Sequence, residues 1–316
     1  MKSFLKILLF LIAGTAFAQP YPSKPIRVIV PFSPGGPVDV VMRLLSPKMT
    51  EMLGQPLVIE NKTGAGGNLG VQQVARAPAD GYTVLATSSS FAVNPALTPD
   101  AGYNPEKDFI AVAVVASQPN FIVVNSAFPA RTLAELLQMA RTQKLAFASP
   151  SSGTTPHLTA ENLFKVRAKV DITHVPFRGA GPAVAAVLGG EPPIGSMAGT
   201  APMPHLRSGK LRALAVSSSK RLASLPDVPT LNELGYPDME DYTWVGLFLP
   251  AGTATAIAQK LNDAVIRTVQ SADIRERLDG LTFEPTAAPL RETADYVKSE
   301  LVKWAKVVRD TGAKAE

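Results

Sequence analysis

The sequence predicts an α/β protein, with parallel or mixed sheets covered by helices, in about two domains. Three observations predict it. Short apolar runs of strand length alternate along the chain with stripes at helical spacing, the order expected when helices cover a sheet. Many turns separate them: 23 Gly and 28 Pro are too many for a helical bundle. The 316 residues are 46% hydrophobic and 18% charged. That is enough apolar material for a core in each domain, and unlike a disordered or collagen-like chain.

The elements follow in order. Residues 26–30 read as a buried strand, and the segment 31–37 interrupts it. A helix comes next, with Val41, Leu44, Leu45, Met49 and Met52 on one face, Gly54 at its end, and Pro47 placed to kink it. Residues 57–60 and 83–87 are strands, with a short helix at 70–77 between them. A strand at 121–124 precedes a helix at 133–141, and a strand at 145–148 precedes a helix near 158–164. The run 172–175 leads into a helix carrying Val184, Val187 and Leu188. Residues 211–216 and 244–249 are further strands. The chain ends in helices with the stripes Ile257, Leu261, Val265, Val269 and Val297, Leu301, Trp304, Val308. Trp244 and Trp304 read as core residues. No repeat of fixed period is visible.

The first residues read as a targeting segment. Lys2 and Lys6 precede an apolar run at 7–12, and Ala16-Phe17-Ala18 is a small-x-small site. Residues 1–18 are therefore expected to be a secretory signal peptide cleaved after Ala18. No later stretch approaches the ~20 apolar residues of a membrane span. With Lys2 and Lys6 removed, Lys+Arg falls from 31 to 29 against 26 Asp+Glu, a balance of +3. That balance, without a basic stripe, argues against a nucleic-acid partner. The absence of cysteine removes thiolate metal sites, cysteine nucleophiles, disulfides and a lipid-anchored terminus. A soluble periplasmic protein is expected.

Three loops carry the functional signal, each following an apolar strand and running into a helix. The first holds Phe32, Ser33, Pro34, Gly35, Gly36 and Asp39. The second holds Ser152, Gly153, Thr154, Thr155 and His157, with Thr155 a candidate helix cap before Pro156. The third holds Arg178, Gly179 and Ala180. Ser88 and Ser89 follow a further strand. Glycine lets backbone approach a ligand, and free N–H groups at helix starts favour an anion. Asp39 and Arg178 are the formally charged residues of these loops. So little charge suits a small carboxylate held by N–H and hydroxyl groups, rather than a phosphate clamped by several cations.

Enzyme motifs fare worse. Gly64-Ala65-Gly66-Gly67-Asn68-Leu69-Gly70 is a variant of a dinucleotide fingerprint, but the next strand runs into Ser88-Ser89-Ser90, without the ribose-binding acid. No phosphate-binding P-loop and no nucleophile elbow occurs. His157, His174 and His205 lack metal-type spacing. Ser152 or Ser196 paired with His157 is the remaining nucleophile arrangement, which keeps a secreted serine hydrolase as a competing class.

The opening Tyr21-Pro22-Ser23-Lys24-Pro25-Ile26-Arg27-Val28-Ile29-Val30-Pro31-Phe32-Ser33-Pro34-Gly35-Gly36 resembles the start of mature Bug-type proteins, the TctC family. These are the substrate-binding components of tripartite tricarboxylate transporters. The likeness continues through Glu60-Asn61-Lys62-Thr63-Gly64-Ala65-Gly66-Gly67-Asn68, Ala79-Asp80-Gly81-Tyr82-Thr83, Ser208-Gly209-Lys210-Leu211-Arg212-Ala213-Leu214 and Leu225-Pro226-Asp227-Val228-Pro229-Thr230. Leu249-Pro250-Ala251-Gly252-Thr253 and Trp304-Ala305-Lys306-Val307-Val308 extend it across essentially the whole mature chain.

The resemblance implies a type II periplasmic binding protein. Two lobes, each with a mixed β-sheet flanked by helices, would close around a small carboxylate in the cleft between them. Residues 19–122 and 246–316 would form the first, discontinuous lobe, and 123–245 the second. The family's ligand loops map onto residues 32–36, 88–89, 152–155 and 178–180, binding through backbone N–H groups, hydroxyls and waters. At Met197 the family commonly has an aspartate that can face a ligand's ammonium. Met there implies an aliphatic or aromatic mono- or dicarboxylate without that ammonium. No cofactor, no metal and no catalysis are expected. The implied partners are membrane permease subunits of a tripartite tricarboxylate-type transporter, served by a monomer. A membrane sensor is an alternative recipient.

Overall fold

Residues alternate between two apolar layers along each central strand. The computed structural model describes residues 21–98 and 100–314; the expected signal peptide lies outside these. In β1 (Ile26–Val30), Val28 and Val30 enter one layer and Ile29 the other. In β3 (Thr83–Ser88), Val84 and Ala86 face the first layer and Leu85 the second. A strand buried on both faces reads as a continuous apolar run, and helices must cover both sides.

The remaining strands are β2 (Leu57–Asn61), β4 (Phe109–Asn125), β5 (Leu145–Ser149), β6 (Ile172–Pro176), β7 (Ile194–Ala198), β8 (Leu211–Val216), β9 (Tyr242–Pro250) and β10 (Glu284–Pro285). With β1 and β3 they form one ten-stranded sheet, eight of its strands in the order β2-β1-β3-β9-β4-β7-β5-β6 and the other two, β8 and β10, pairing β4 off that path. β1 pairs β2 and β3 in parallel, and β5 pairs β6 and β7 in parallel. Every partner of β4 is antiparallel to it. The sheet is therefore mixed.

β4 is the strand that makes two lobes out of one path. From Phe109 to Pro119 it pairs β9. From Asn120 to Val124 it pairs β7, while β8 takes its other edge from Phe121 to Asn125. The partners change at Pro119, which has no N–H to offer a ladder. The directions then follow. β1 and β3 run the same way as β4, so their C-terminal ends point toward this seam. β5, β6 and β7 run against β4, so their C-terminal ends point back to it, and Ala198 lies opposite Asn120. The loops after both sets of strands therefore face one another across the seam.

The helices are α1 (Pro37–Leu53), α2 (Asn68–Ala75), α3 (Ser90–Leu97), α4 (Leu133–Ala140), α5 (Thr155–Glu161), α6 (Ala180–Gly189), α7 (Met203–Arg207), α8 (Thr255–Gln270), α9 (Ala272–Gly280) and α10 (Leu290–Thr311). In the first lobe α1, α8 and α9 cover one face, and α2, α3 and α10 the other. In the second, α4 and the helix-plus-π-turn segment 155–167 cover one face, and α6 and α7 the other.

Several expectations shift. α1 continues as one helix through Pro47 and ends at Gly54, whose φ of 73° and N–H bond to the Thr50 carbonyl close it. The short helix expected at 70–77 occupies 68–75. β4 extends far beyond the expected 121–124, because burial on both faces erases alternation and Ser117-Gln118-Pro119-Asn120 interrupts the apolar run. α3 and α9 have no counterpart in the sequence reading.

Trp244 and Trp304 are core residues, both fully buried. Their indole nitrogens each donate to Glu300 Oε2 at 2.9 Å. Glu300→Ala orphans both donors inside the first lobe. The expected loss is about 3 kcal/mol of unfolding free energy, measured by urea denaturation. A loss under about 1 kcal/mol would show that these bonds are replaceable.

Candidate functional site

The loops at the seam are built from their own hydrogen bonds. In the loop after β1, Asp39 sits almost fully buried in the first turn of α1. Its Oδ2 accepts from Gly35 N at 2.9 Å and Arg43 Nε at 3.0 Å. Its Oδ1 accepts from Asn61 Nδ2 at 3.1 Å and lies 2.9 Å from the Arg43 guanidinium. Asn61 also holds the Phe32 carbonyl, at 2.9 Å. Burial pushes the Asp39 carboxyl up, but hydrogen bonds from Arg43, Gly35 and Asn61 outweigh it, leaving the group below the ordinary aspartate range. Both oxygens are thus engaged in shaping residues 32–36, with Ser33, Pro34 and Gly35 exposed above them. Asp39→Ala is expected to weaken ligand binding roughly tenfold by releasing this loop. Calorimetry of the variant against wild type checks it; unchanged affinity would mean that the loop needs no such support.

The second loop is organised by a different device. Thr154, rather than Thr155, caps α5: its Oγ1 accepts from His157 N at 3.4 Å and donates to the Ser151 carbonyl at 2.8 Å. A capping oxygen reaches the N–H three residues on, and from Thr154 that is His157. Thr155 is thereby freed to point its hydroxyl inward. His157 Nδ1 in turn accepts from Gly153 N at 3.3 Å. The His157 ring stacks on His174, centroids 3.9 Å apart, and His174 Nε2 is 2.7 Å from Ser149 Oγ. Burial lowers the His157 pKa to about 3 and that of His174 to about 4, helped by the neighbouring Lys165 charge. Both rings are neutral supports for residues 149–157.

The third loop leans on the second. Phe177 N donates to the Ser149 carbonyl at 3.0 Å and Gly179 N to the Pro150 carbonyl at 2.7 Å. Arg178 is exposed on this loop. Gly179 precedes α6 without a side-chain cap, as Gly36 precedes α1. The first-turn N–H groups of both helices lack side-chain acceptors and are open to an anion.

Contacts across the seam join the lobes. Ser89 Oγ lies 3.1 Å from Thr155 Oγ1. A Cβ on Gly153 would meet Asn94 Oδ1 at 2.5 Å and Leu97 Cδ2 at 2.9 Å, both on α3. A Cβ on Gly66 would stand 4.0 Å from the Ser152 carbonyl. Gly67 packs beneath the Phe32 ring, whose atoms would lie 3.2–3.3 Å from an added Cβ. Ser88 turns back on its own chain and donates to Ser90 Oγ at 3.1 Å. Ser152 Oγ is buried and has no hydrogen-bond partner.

The structure thus brings together residues 32–36, 88–89, 152–155 and 178–180. Met197 is not among them. Its side chain is fully buried in the second lobe, packed with Phe121, Val123, Val184, Val187 and Met203. Strand alternation sends Met197 into the α6–α7 layer, so it cannot report on a ligand's ammonium. Neither suggested nucleophile pair forms through hydrogen bonds: His157 Nδ1 takes the Gly153 N–H, and Ser196 Oγ donates to the Pro156 carbonyl at 2.6 Å. Among the described residues no group of His, Asp and Glu converges as a metal site requires.

Sequence reasoning missed the 64–68 loop and Asn94 as part of this seam. Asn94 Nδ2 donates to Asn68 Oδ1 at 2.7 Å and the Gly66 carbonyl at 3.2 Å, and so ties that loop to α3. The signal was present in the run Gly64–Gly67, every residue of which has positive φ.

Residues 41–313 match the family described as "Tripartite tricarboxylate transporter family receptor". The chain is 39% identical to the protein BugT of Bordetella pertussis over 307 residues, covering 96% of this chain and 94% of that one. Among solved structures, R. palustris Rpa4515 with adipate superposes with a TM-score of 0.88 at 31% identity, covering 94% of this chain and all of the other. MatC from Rhodopseudomonas palustris with bound malate superposes with a TM-score of 0.84 at 36% identity, covering 91% and 100%.

Proposed function

The chain belongs to the tripartite tricarboxylate transporter receptor family, and from that premise we propose that it captures a small organic carboxylate in the periplasm for the permease subunits of such a transporter. Members of this family are periplasmic binding proteins, and two similar proteins were solved with adipate and malate. The first lobe comprises residues 19–122 and 246–316, the second 123–245, after removal of the signal peptide 1–18. In support of two crossings close to these positions, β4 changes partners at Pro119–Asn120 and Trp244 packs in the first lobe, so each crossing falls a few residues before the boundary given. The ligand lies between the 32–36 and 152–155 loops, and contacts with both lobes favour the closed state. The protein acts as a monomer, and no bond is made or broken.

The observation that carries this reading is the seam itself: uncapped helix starts and an uncommitted buried hydroxyl, Ser152 Oγ, with little charge of either sign. A carboxylate is matched by such donors. The ligand class is an aliphatic or aromatic mono- or dicarboxylate without an ammonium group. Met197 no longer supports that last point, but the acids do. Asp39 is engaged by Arg43, and Asp241 by Lys303 at 2.9 Å, so neither is left to meet an ammonium.

A calorimetric screen of purified protein against organic acids tests the proposal. Binding of a carboxylate, with deaminated acids preferred over glutamate and aspartate, is the expected result. Silence toward every acid, combined with tight binding of a sugar or a cation, would overturn it.

A further inference from the structure

One unbroken chain of polar groups crosses the seam beneath these loops. Thr159 Oγ1 donates to Asp241 Oδ2 at 3.0 Å, and Asn120 Nδ2 donates to Thr159 Oγ1 at 3.0 Å. Thr243 Oγ1 donates to Asn120 Oδ1 at 2.9 Å. Thr155 Oγ1 is 2.7 Å from Thr243 Oγ1, and Ser89 Oγ is 3.1 Å from Thr155 Oγ1. All six residues are buried. Beyond Asp241, its Oδ1 meets Lys303 Nζ, which also lies 4.0 Å from Glu300.

Counting protons gives the chain a direction. An ionised carboxylate only accepts, so Thr159 spends its single proton on Asp241. Thr159 can then only accept from Asn120, which must turn its Nδ2 to Thr159 and its Oδ1 to Thr243. Thr243 therefore donates to Asn120, Thr155 donates to Thr243, and Ser89 donates to Thr155. No other orientation satisfies every member.

We propose that Asp241 is a positioning residue for the cleft: its charge, at the far end of the chain, turns every proton from Ser89 to Thr159 along the chain toward itself and out of the cleft. The hydroxyls of Ser89 and Thr155 then reach the seam as acceptors with no proton to give. Donation to an anion falls to main-chain N–H groups and to Ser152 Oγ, which is outside the chain and has no partner. This deepens the carboxylate reading and rests on it for its meaning, but the orientation exists in the free protein. Aligned, fully satisfied chains of this kind act as units, so changes at their two ends are coupled.

The test is a double-mutant cycle on the ligand-free protein, read as urea-unfolding equilibrium constants. Ser89→Ala and Asp241→Asn stand at the two ends. The expected result is that the double variant departs from the product of the single effects by at least about threefold. A Thr243→Val background severs the chain and should abolish the coupling; Thr243→Ser keeps the hydroxyl and should restore it. A structural role for Asp241 alone would not produce that pattern. If Asp241→Asn does not fold, Thr159→Val replaces it with the same readings. Multiplicative single effects, or coupling that survives Thr243→Val, overturn the proposal. Because no ligand is used, that failure leaves the carboxylate reading standing, and a silent organic-acid screen leaves the chain standing.

Discussion

Gly153→Ala is expected to lower carboxylate affinity about thirtyfold while costing the fold far less. Two separate effects meet at this residue. Its φ of 77° is strained for any residue with a Cβ, a cost of about 1 kcal/mol that falls on the folded protein whether or not ligand is bound. The added methyl would also lie 2.5 Å from Asn94 Oδ1 and 2.9 Å from Leu97 Cδ2. Those atoms belong to α3 of the other lobe, so the clash opposes the closed cleft rather than the packing within either lobe. Overpacking of this kind costs about 2 kcal/mol, or a factor near thirty in binding. Calorimetry with the tightest acid from the screen, beside a urea titration of the free variant, separates the two effects. Equal affinity for wild type and variant would mean that this contact is not part of the ligand-bound state.

The second large effect is on stability in acid. His157 and His174 titrate at about 3 and about 4 in the folded protein, chiefly because burial disfavours their charged forms. In the unfolded chain both rings return to about 6.5. The unfolded state therefore binds more protons between the two values, and stability rises with pH across that window. The contribution is fully present above pH ~6.5, falls as pH drops toward 4, and is lost by about pH 3. At pH 5 each ring has cost about 2 kcal/mol relative to pH 8. Urea midpoints between pH 8 and pH 5 should shift accordingly, and His174→Phe should remove part of the slope. A wild-type midpoint that does not fall over this range would show that the stacked rings are not held neutral. The stack sits directly behind Gly153 and Ser149, so the same protonation should loosen the second ligand loop.

The α/β class and most strands were legible because apolar runs and helical stripes are local signals. The loops were legible for the same reason: glycine and proline at strand ends carry their conformational meaning with them. What was not legible was which side chains within a loop are taken up by the loop's own structure. Asp39 looked like a ligand contact because it is charged and near glycines, yet its partners are Arg43, Gly35 and Asn61. Met197 looked like a specificity position from its place in the chain, yet strand register directs it into the α6–α7 core. Thr154 and Thr155 differ by one residue, and helix geometry alone made the first a cap and the second a link across the seam.

Family, fold class and the identity of most seam loops are properties of the amino-acid order, because turn chemistry and hydrophobic period act over a few residues. The passage of β4 between lobes, the stacked histidines and the hydroxyl chain from Ser89 to Asp241 were decided by tertiary structure. Their members lie up to 152 positions apart, as Ser89 and Asp241 do in the numbering. A hydrogen bond acts over about 3 Å, and no local pattern records which distant residue will be brought within that reach.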